Sequence, residues 1–174
     1  MNATATTVDA ARTASPELTD LLTALARHRD FLRFTVRGLT DEQARQTPTA
    51  SALSLGGLIK HVRDTEIGWM RFAVGGAELM ESDPADWENG FRMLEDETLE
   101  GLLESYEETA ATTERLLADL DLNTAHPLPV APWFEPGASW TVRRVVLHLI
   151  AETSQHAGHA DIIRETVDGQ RTMG

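Results

Sequence analysis

The sequence of 174 residues contains no cysteine. This absence excludes a disulfide framework, a thiolate zinc site, an iron-sulfur cluster and a cysteine nucleophile, and it agrees with a reducing compartment. Any thiol chemistry must therefore use the thiol of another molecule.

The sequence also lacks long apolar runs, and its first residues do not show the pattern of a signal peptide. The first 14 residues have neither the basic start nor the apolar stretch of a secretory signal, and no later stretch approaches the length that spans a bilayer. We therefore expect a cytoplasmic protein that does not enter a membrane. Its length suits a single domain, which we place at residues 15–174 after a disordered tail at residues 1–14.

Basic residues are scarce relative to acidic ones. Lysine and arginine together number 15 against 28 aspartates and glutamates, which gives a net charge of -13. Such a surface repels phosphate backbones and anionic lipids, so the composition argues against nucleic-acid and membrane partners.

No segment alternates between apolar and polar residues with the period of a strand, whereas four segments repeat with helical spacing. The spacing predicts helices near residues 16–37, 54–74, 96–120 and 140–167, with Asp96 and Ser139 as caps of the last two. A short extra turn is predicted after Thr40. We therefore predict an all-α four-helix bundle, in which the connections 77–95 and 121–138 frame a pocket mouth and residues 78–90 form a candidate lid.

The fourth predicted helix places an acid and a histidine, Glu152 and His156, where its period calls for core residues. His148, Glu152 and His156 follow one another at intervals of four, so adjacent pairs can point at one object. A divalent metal ion is one such object, because imidazole and carboxylate both offer lone pairs to it. A helix-face salt bridge between Glu152 and His156 is the alternative that spacing alone leaves open.

A metal needs at least a third ligand, which must come from another helix. His61 is the natural donor because it lies beside the buried stripe of the second helix, and His28 on the first helix is a weaker candidate. His159 is an alternative or outer partner, since it turns about 60 degrees away from His156. His126, in a loop, receives no role.

Arginines and tryptophans supply further candidates without a decisive pattern. The arginines that can hold a carboxylate are Arg63, Arg71, Arg143, Arg144 and Arg164, although arginines on amphipathic helices are usually solvated. The tryptophans that can wall an apolar pocket are Trp69, Trp87, Trp133 and Trp140, although core roles are the commoner use.

Two stretches, residues 54–69 with His61 and residues 140–161 with Glu152 and His156, resemble the DinB-like (YfiT-type) metalloenzyme superfamily. Within it, the sequence is similar to the branch related to mycothiol-dependent maleylpyruvate isomerase and thiol S-transferases. The resemblance implies a four-helix bundle with up-down-down-up connectivity and a metal held by His61, Glu152 and His156. It also implies a low-molecular-weight thiol such as mycothiol as cosubstrate.

These observations lead to three functional hypotheses. The first is a metal-dependent thiol S-transferase, in which the metal activates an external thiol toward an electrophile. The second is a stress-linked bundle that binds a metal or ligand without turnover, and the third uses the same ligands for iron(II) and oxygen. Zinc suits the ligand set best, while nickel, manganese and iron remain open, and a homodimer through an apolar helix face is a further expectation.

Overall fold

The computed structural model describes residues 15–80 and 89–172. In this part of the chain the helices are α1 (Pro16–Thr35), α2 (Asp41–Arg45), α3 (Leu55–Gly75), α4 (Leu99–Asp119) and α5 (Val142–Asp168). A 3-10 turn at Ala77–Leu79 follows α3. The strands β1 (Ala125–Pro127) and β2 (Ser139–Thr141) pair between α4 and α5. The predicted tail at residues 1–14 lies outside the described residues.

Each of the long helices and the short α2 begins with a hydroxyl side chain as its cap. Ser15, Thr40 and Ser54 cap α1, α2 and α3 as their side chains accept backbone N–H bonds. The predicted caps Asp96 and Ser139 are wrong: Thr98 caps α4, and Thr141 caps α5. Ser139 does not cap α5 because the helix begins at Val142, so that Thr141, the last residue of β2, directly precedes it.

The two strands were not predicted from the sequence. They pair antiparallel, with His126 opposite Trp140, and each has three residues. Three residues are too few to show a clear period of two, and β1 ends on a proline, so the sequence carries no strand signal here. The hairpin bridges α4 and α5.

The four long helices form a bundle with up-down-down-up connectivity. Thr35 at the end of α1 lies beside Arg164 near the end of α5, so these two helices are parallel. α3 and α4 are also parallel, because the start of α4 and the residues before it pack on the start of α3. The fold prediction is therefore confirmed, including the long connection that two parallel neighbours require.

The apolar core divides into two clusters, one toward each end of the bundle. One cluster contains Leu32, Leu58 and Ile163, and the other contains Leu25, Phe72 and Leu149. The intervening level carries buried polar residues from four helices, namely Arg29, Glu66, Thr113, Thr153 and His156. The middle of the bundle is thus a polar layer.

The polar layer is organised around a buried carboxylate. The Arg29 guanidinium donates to both oxygens of Glu66, with an Nε–Oε2 distance of 3.1 Å, and the Thr113 hydroxyl donates to the same carboxylate. Arg29 and Glu66 are only 4% and 1% exposed. The ion pair therefore joins α1, α3 and α4 inside the protein.

The connection before α4 is anchored on α3 by a salt bridge. The ammonium of Lys60, the only lysine in the sequence, lies 2.7 Å from the Glu97 carboxylate, and Lys60 is 9% exposed. The Arg45 guanidinium donates to the carbonyl of Leu94, and Glu97 accepts the backbone N–H of the same residue. The candidate lid at residues 78–90 includes residues 81–88, which lie outside the described residues. Leu94 and Glu97, which follow it, are held by the contacts with Arg45 and Lys60.

Arg164 secures the end of α1. Its side chain is 3% exposed and its Nη1 donates to the carbonyls of Thr35 and Arg37 at 2.7 and 2.9 Å.

Arg164→Leu should lower the free energy of unfolding by about 1–3 kcal/mol, because these carbonyls lose their donor. Urea denaturation measures the change, and Arg115→Leu, which removes an exposed arginine that bonds to Ala111 and Thr112 of its own helix, is the matched control. Equal effects of the two substitutions would contradict this role.

Among the described residues, no helix combines the length and apolar character needed to cross a membrane.

Candidate metal centre

Three predicted ligands converge where α3 meets α5. His61 comes from α3, and Glu152 and His156 lie one turn apart on α5. One ligand atom from each side chain lies within 4.8 Å of the other two. Because α3 and α5 run in opposite directions and pack directly, the middle of each helix faces the middle of the other.

The distances suit a divalent ion after small side-chain adjustments. Glu152 Oε2 lies 3.3 Å from His156 Nε2 and 4.0 Å from His61 Nε2. A tetrahedral ion with bonds of 2.0 to 2.2 Å holds its ligand atoms about 3.4 Å apart. The helix-face salt bridge between Glu152 and His156 is also present, but a ligand from a second helix faces the same carboxylate oxygen. The donor set therefore fits a metal.

The protonation states at neutral pH also suit metal binding. Burial, with a smaller contribution from His156, lowers the pKa of His61 to about 4, so its imidazole is neutral and keeps a lone pair. A hydrogen bond with His156 and the neighbouring imidazoles lower the pKa of the Glu152 carboxyl. The cluster thus offers an ionised carboxylate together with the neutral imidazole of His61.

Two further histidines lie next to the triad. His159 Nδ1 is 3.4 Å from His156 Nδ1, on the side of the ring away from Glu152. His159 is therefore placed to fix the tautomer of His156, as outer partners of ligand histidines commonly do. His148 Nε2 lies 3.9 Å from Glu152 Oε1, the carboxylate oxygen that does not face the other two imidazoles.

Phe91 covers one side of the cluster and was not anticipated from the sequence. Its ring stacks on the His61 ring, with centroids 3.8 Å apart and planes inclined by 20°, and its centroid is 6.0 Å from that of His156. Phe91 belongs to the connection between α3 and α4, where no periodicity indicates which side chains turn inward. The sequence therefore held no signal for this contact.

Aromatic rings also border the cluster on the side of His148. The rings of Trp69 and Trp140 stack at 4.6 Å, and both meet the edge of the His148 ring. Burial, reinforced by the charge of Arg144, lowers the pKa of His148, although Glu152 opposes the shift. Trp133 is 66% exposed, and Trp87 lies outside the described residues.

The candidate arginines have different environments. Arg63 pairs with Asp64, Arg143 pairs with Glu17, and Arg164 holds the end of α1. Arg71 is exposed. Arg144 lies over the Trp140 ring at 4.4 Å, which brings one positive charge to the outer edge of the aromatic border.

Two histidines stand apart from the cluster. His28 contacts Phe31 on its own helix, and the buried polar residue of α1 is its neighbour Arg29. His126 Nε2 lies 3.2 Å from the Ala73 carbonyl and its ring packs against Phe72, which attaches β1 to the end of α3. His126 thus has a structural role that the sequence did not suggest.

A family model described as Mycothiol-S-transferase matches residues 20–169, which include all three residues of the cluster and both adjacent histidines. The chain belongs to the mycothiol S-transferase family. This membership confirms the resemblance seen in the sequence. No curated protein matches the chain.

Among solved structures, YfiT from Bacillus subtilis is similar to this family member, with a TM-score of 0.64 at 14% sequence identity. The alignment covers 90% of this chain and 91% of YfiT, which is described as a probable metal-dependent hydrolase with an unusual four-helix bundle topology. At this level of identity the similarity establishes the fold alone.

Proposed function

We propose that the protein is a divalent-metal-dependent S-transferase that joins an external low-molecular-weight thiol, of the mycothiol type, to an electrophilic small molecule. The observation that carries the proposal is the convergence of His61, Glu152 and His156 within 4.8 Å. Membership of the mycothiol S-transferase family supports the thiol as cosubstrate. The absence of cysteine means that the sulfur must be supplied by another molecule.

The three side chains would hold the ion through His61 Nε2, His156 Nε2 and Glu152 Oε2. Two imidazoles and one carboxylate leave coordination positions open, as catalytic sites require, and zinc suits this set while nickel, manganese and iron(II) accept the same ligands. When bound, the ion supplies Lewis acidity that stabilises a thiolate, the nucleophile in thiol transfer. His159 would hold His156 in the tautomer whose Nε2 carries the lone pair.

The reaction balances with the two substrates alone. The thiol loses its proton to solvent, the sulfur forms a bond to the electrophilic carbon, and the bond from that carbon to its leaving atom breaks with its electron pair. For an epoxide the leaving atom is the ring oxygen, which then takes up a proton, and for an alkyl halide it is the halide. For an activated alkene no atom leaves: the π bond breaks, and the adjacent carbon takes up a proton from solvent. Phe91 and the Trp69–Trp140 pair border the cluster and limit the access of water to it.

The proposal predicts conjugation that requires both metal and thiol. Zinc-loaded protein incubated with mycothiol and a panel of epoxides, alkyl halides and activated alkenes should form thioether products that mass spectrometry detects. Chelation should reduce the rate to that of the reaction without protein, and added zinc should restore it. Metal-loaded protein that shows no thiol-dependent turnover with mycothiol, bacillithiol or glutathione would contradict the transferase and leave a metal-binding bundle without turnover.

The same experiment separates two other reactions. Consumption of an electrophile without thiol would indicate hydrolysis, and oxygen uptake that requires iron(II) and fails with zinc would indicate oxygen chemistry.

A further inference from the structure

Among the described residues, none forms the hydrogen bond to His61 Nδ1 that usually orients a ligand histidine. Metal-binding histidines generally donate their second nitrogen to a carboxylate, carbonyl or water, which fixes the ring. Within residues 15–80 and 89–172, His61 has a hydrogen-bond contact only at Nε2, which lies 3.5 Å from the Thr65 hydroxyl. By contrast, the Nδ1 atom of His156 faces His159.

Phe91 provides a different restraint on the same ring. The two rings overlap face to face at 3.8 Å, so rotation of the imidazole about its Cβ–Cγ bond would push its edge into the phenyl ring. In the observed orientation, His61 Nε2 faces Glu152. The stacking contact therefore restrains the ring orientation that a hydrogen bond at Nδ1 usually fixes.

Two adjacent glycines allow Phe91 to approach so closely. A Cβ atom at Gly57 would overlap the Phe91 backbone carbonyl, and a Cβ atom at Gly56 would overlap the Met93 side chain. The connection therefore lies flat on the first turn of α3, only one turn before His61. Lys60 and Arg45 hold the residues that follow, so the position of Phe91 is set from the side of α4 as well.

We propose that Phe91 is a positioning residue for the metal centre. It keeps the His61 ring aligned with Glu152, and it covers the ring so that a bound ion exchanges slowly with solvent. This inference rests on the metal centre of the proposed function, but it concerns metal retention and not the transfer reaction.

The first test measures the release of zinc to an excess of chelator. Phe91→Leu keeps an apolar side chain but removes the ring. We expect it to release zinc about ten- to a hundredfold faster than the unmodified protein, by analogy with the loss of metal affinity when an outer partner of a ligand is removed. Phe91→Tyr should restore slow release because it restores the stack. Phe34→Leu is the matched control, since Phe34 is similarly exposed but lies on α1, under Arg37.

A second pair of variants moves Phe91 without altering its ring. Gly57→Ala should also accelerate zinc release, because the added methyl group displaces the Phe91 backbone. Gly68→Ala is the control in the same helix, since its added methyl group meets open space and should leave zinc release unchanged while slightly favouring the helix.

Proton spectra of the metal-free protein test the stack independently of any ion. The ring protons of His61 should be shifted upfield by the Phe91 ring, and this shift should disappear in Phe91→Leu but persist in Phe91→Tyr and Gly68→Ala. Equally fast zinc release from the unmodified protein and from Phe91→Leu would show that Phe91 does not position the metal centre. The proposed metal centre itself would be unaffected by that result. A protein that takes up no zinc at all would overturn the proposed metal centre instead.

Discussion

His156→Ala should lose bound metal and thiol transfer together while retaining the helical bundle. The substitution removes one of the two imidazoles that face Glu152 Oε2, and only two of the three proposed protein ligands remain for a divalent ion. A chain of this length does not need an ion to fold, whereas the proposed reaction does. Elemental analysis of protein purified without a metal-affinity tag measures the first effect, and the conjugation assay measures the second.

His159→Ala is the matched control for this experiment. His159 contacts the side of the His156 ring that faces away from Glu152, so its removal should weaken metal binding by about ten- to a hundredfold without abolishing it. Glu152→Ala should lose the metal as His156→Ala does. The opposite pattern, with metal kept in Glu152→Ala and lost in His159→Ala, would assign the third ligand to His159.

Glu66→Ala should cause the largest loss of stability among single substitutions in the polar layer, about 3–5 kcal/mol. The substitution removes the buried counter-ion of the Arg29 guanidinium, which then faces only the exposed Glu114 carboxylate among the described residues, and it removes the acceptor of the Thr113 hydroxyl. An uncompensated charge in a protein interior costs far more than the net gain that the pair provides. The midpoint of urea denaturation, followed by circular dichroism, measures the effect.

Glu114→Ala provides the comparison, because Glu114 also faces Arg29, at 3.7 Å, but its side chain is 53% exposed. Its removal should cost less than about 1 kcal/mol. The double variant Arg29→Met with Glu66→Leu should recover most of the loss, since a buried ion pair can be replaced by apolar side chains of similar volume. A loss in Glu66→Ala no larger than that in Glu114→Ala would show that the pair is not desolvated.

The long helices could be predicted because each buries one stripe of apolar residues, and the period of that stripe is visible in the sequence. Two of the helix starts were displaced for local reasons. The hydroxyls of Thr98 and Thr141 accept the backbone N–H groups at the starts of α4 and α5, in place of the caps expected at Asp96 and Ser139. Competition between neighbouring polar residues for a cap depends on the path of the preceding loop, which the sequence does not display.

The candidate site could be predicted only in part. Glu152 and His156 stand out because they interrupt an apolar stripe, and His61 was selected by its position beside another stripe and by the family resemblance. Phe91 could not be found this way, since its contact with His61 depends on the course of a nonrepetitive connection over two glycines. Arg29 and Glu66 form an ion pair although they lie 37 residues apart in the sequence, and no local sequence pattern predicts this pair.

The salt bridge between Lys60 and Glu97 has a practical consequence for chemical labelling. Lys60 carries the only side-chain amine of the sequence, and that amine is buried against a carboxylate. Acylating reagents should therefore leave the folded side chains unmodified and react at Lys60 only when the start of α3 separates from the connection before α4. Because the sequence also lacks cysteine, a single engineered cysteine could carry a fluorophore at a chosen position, while acylation of Lys60 reports the local opening of that segment by mass spectrometry.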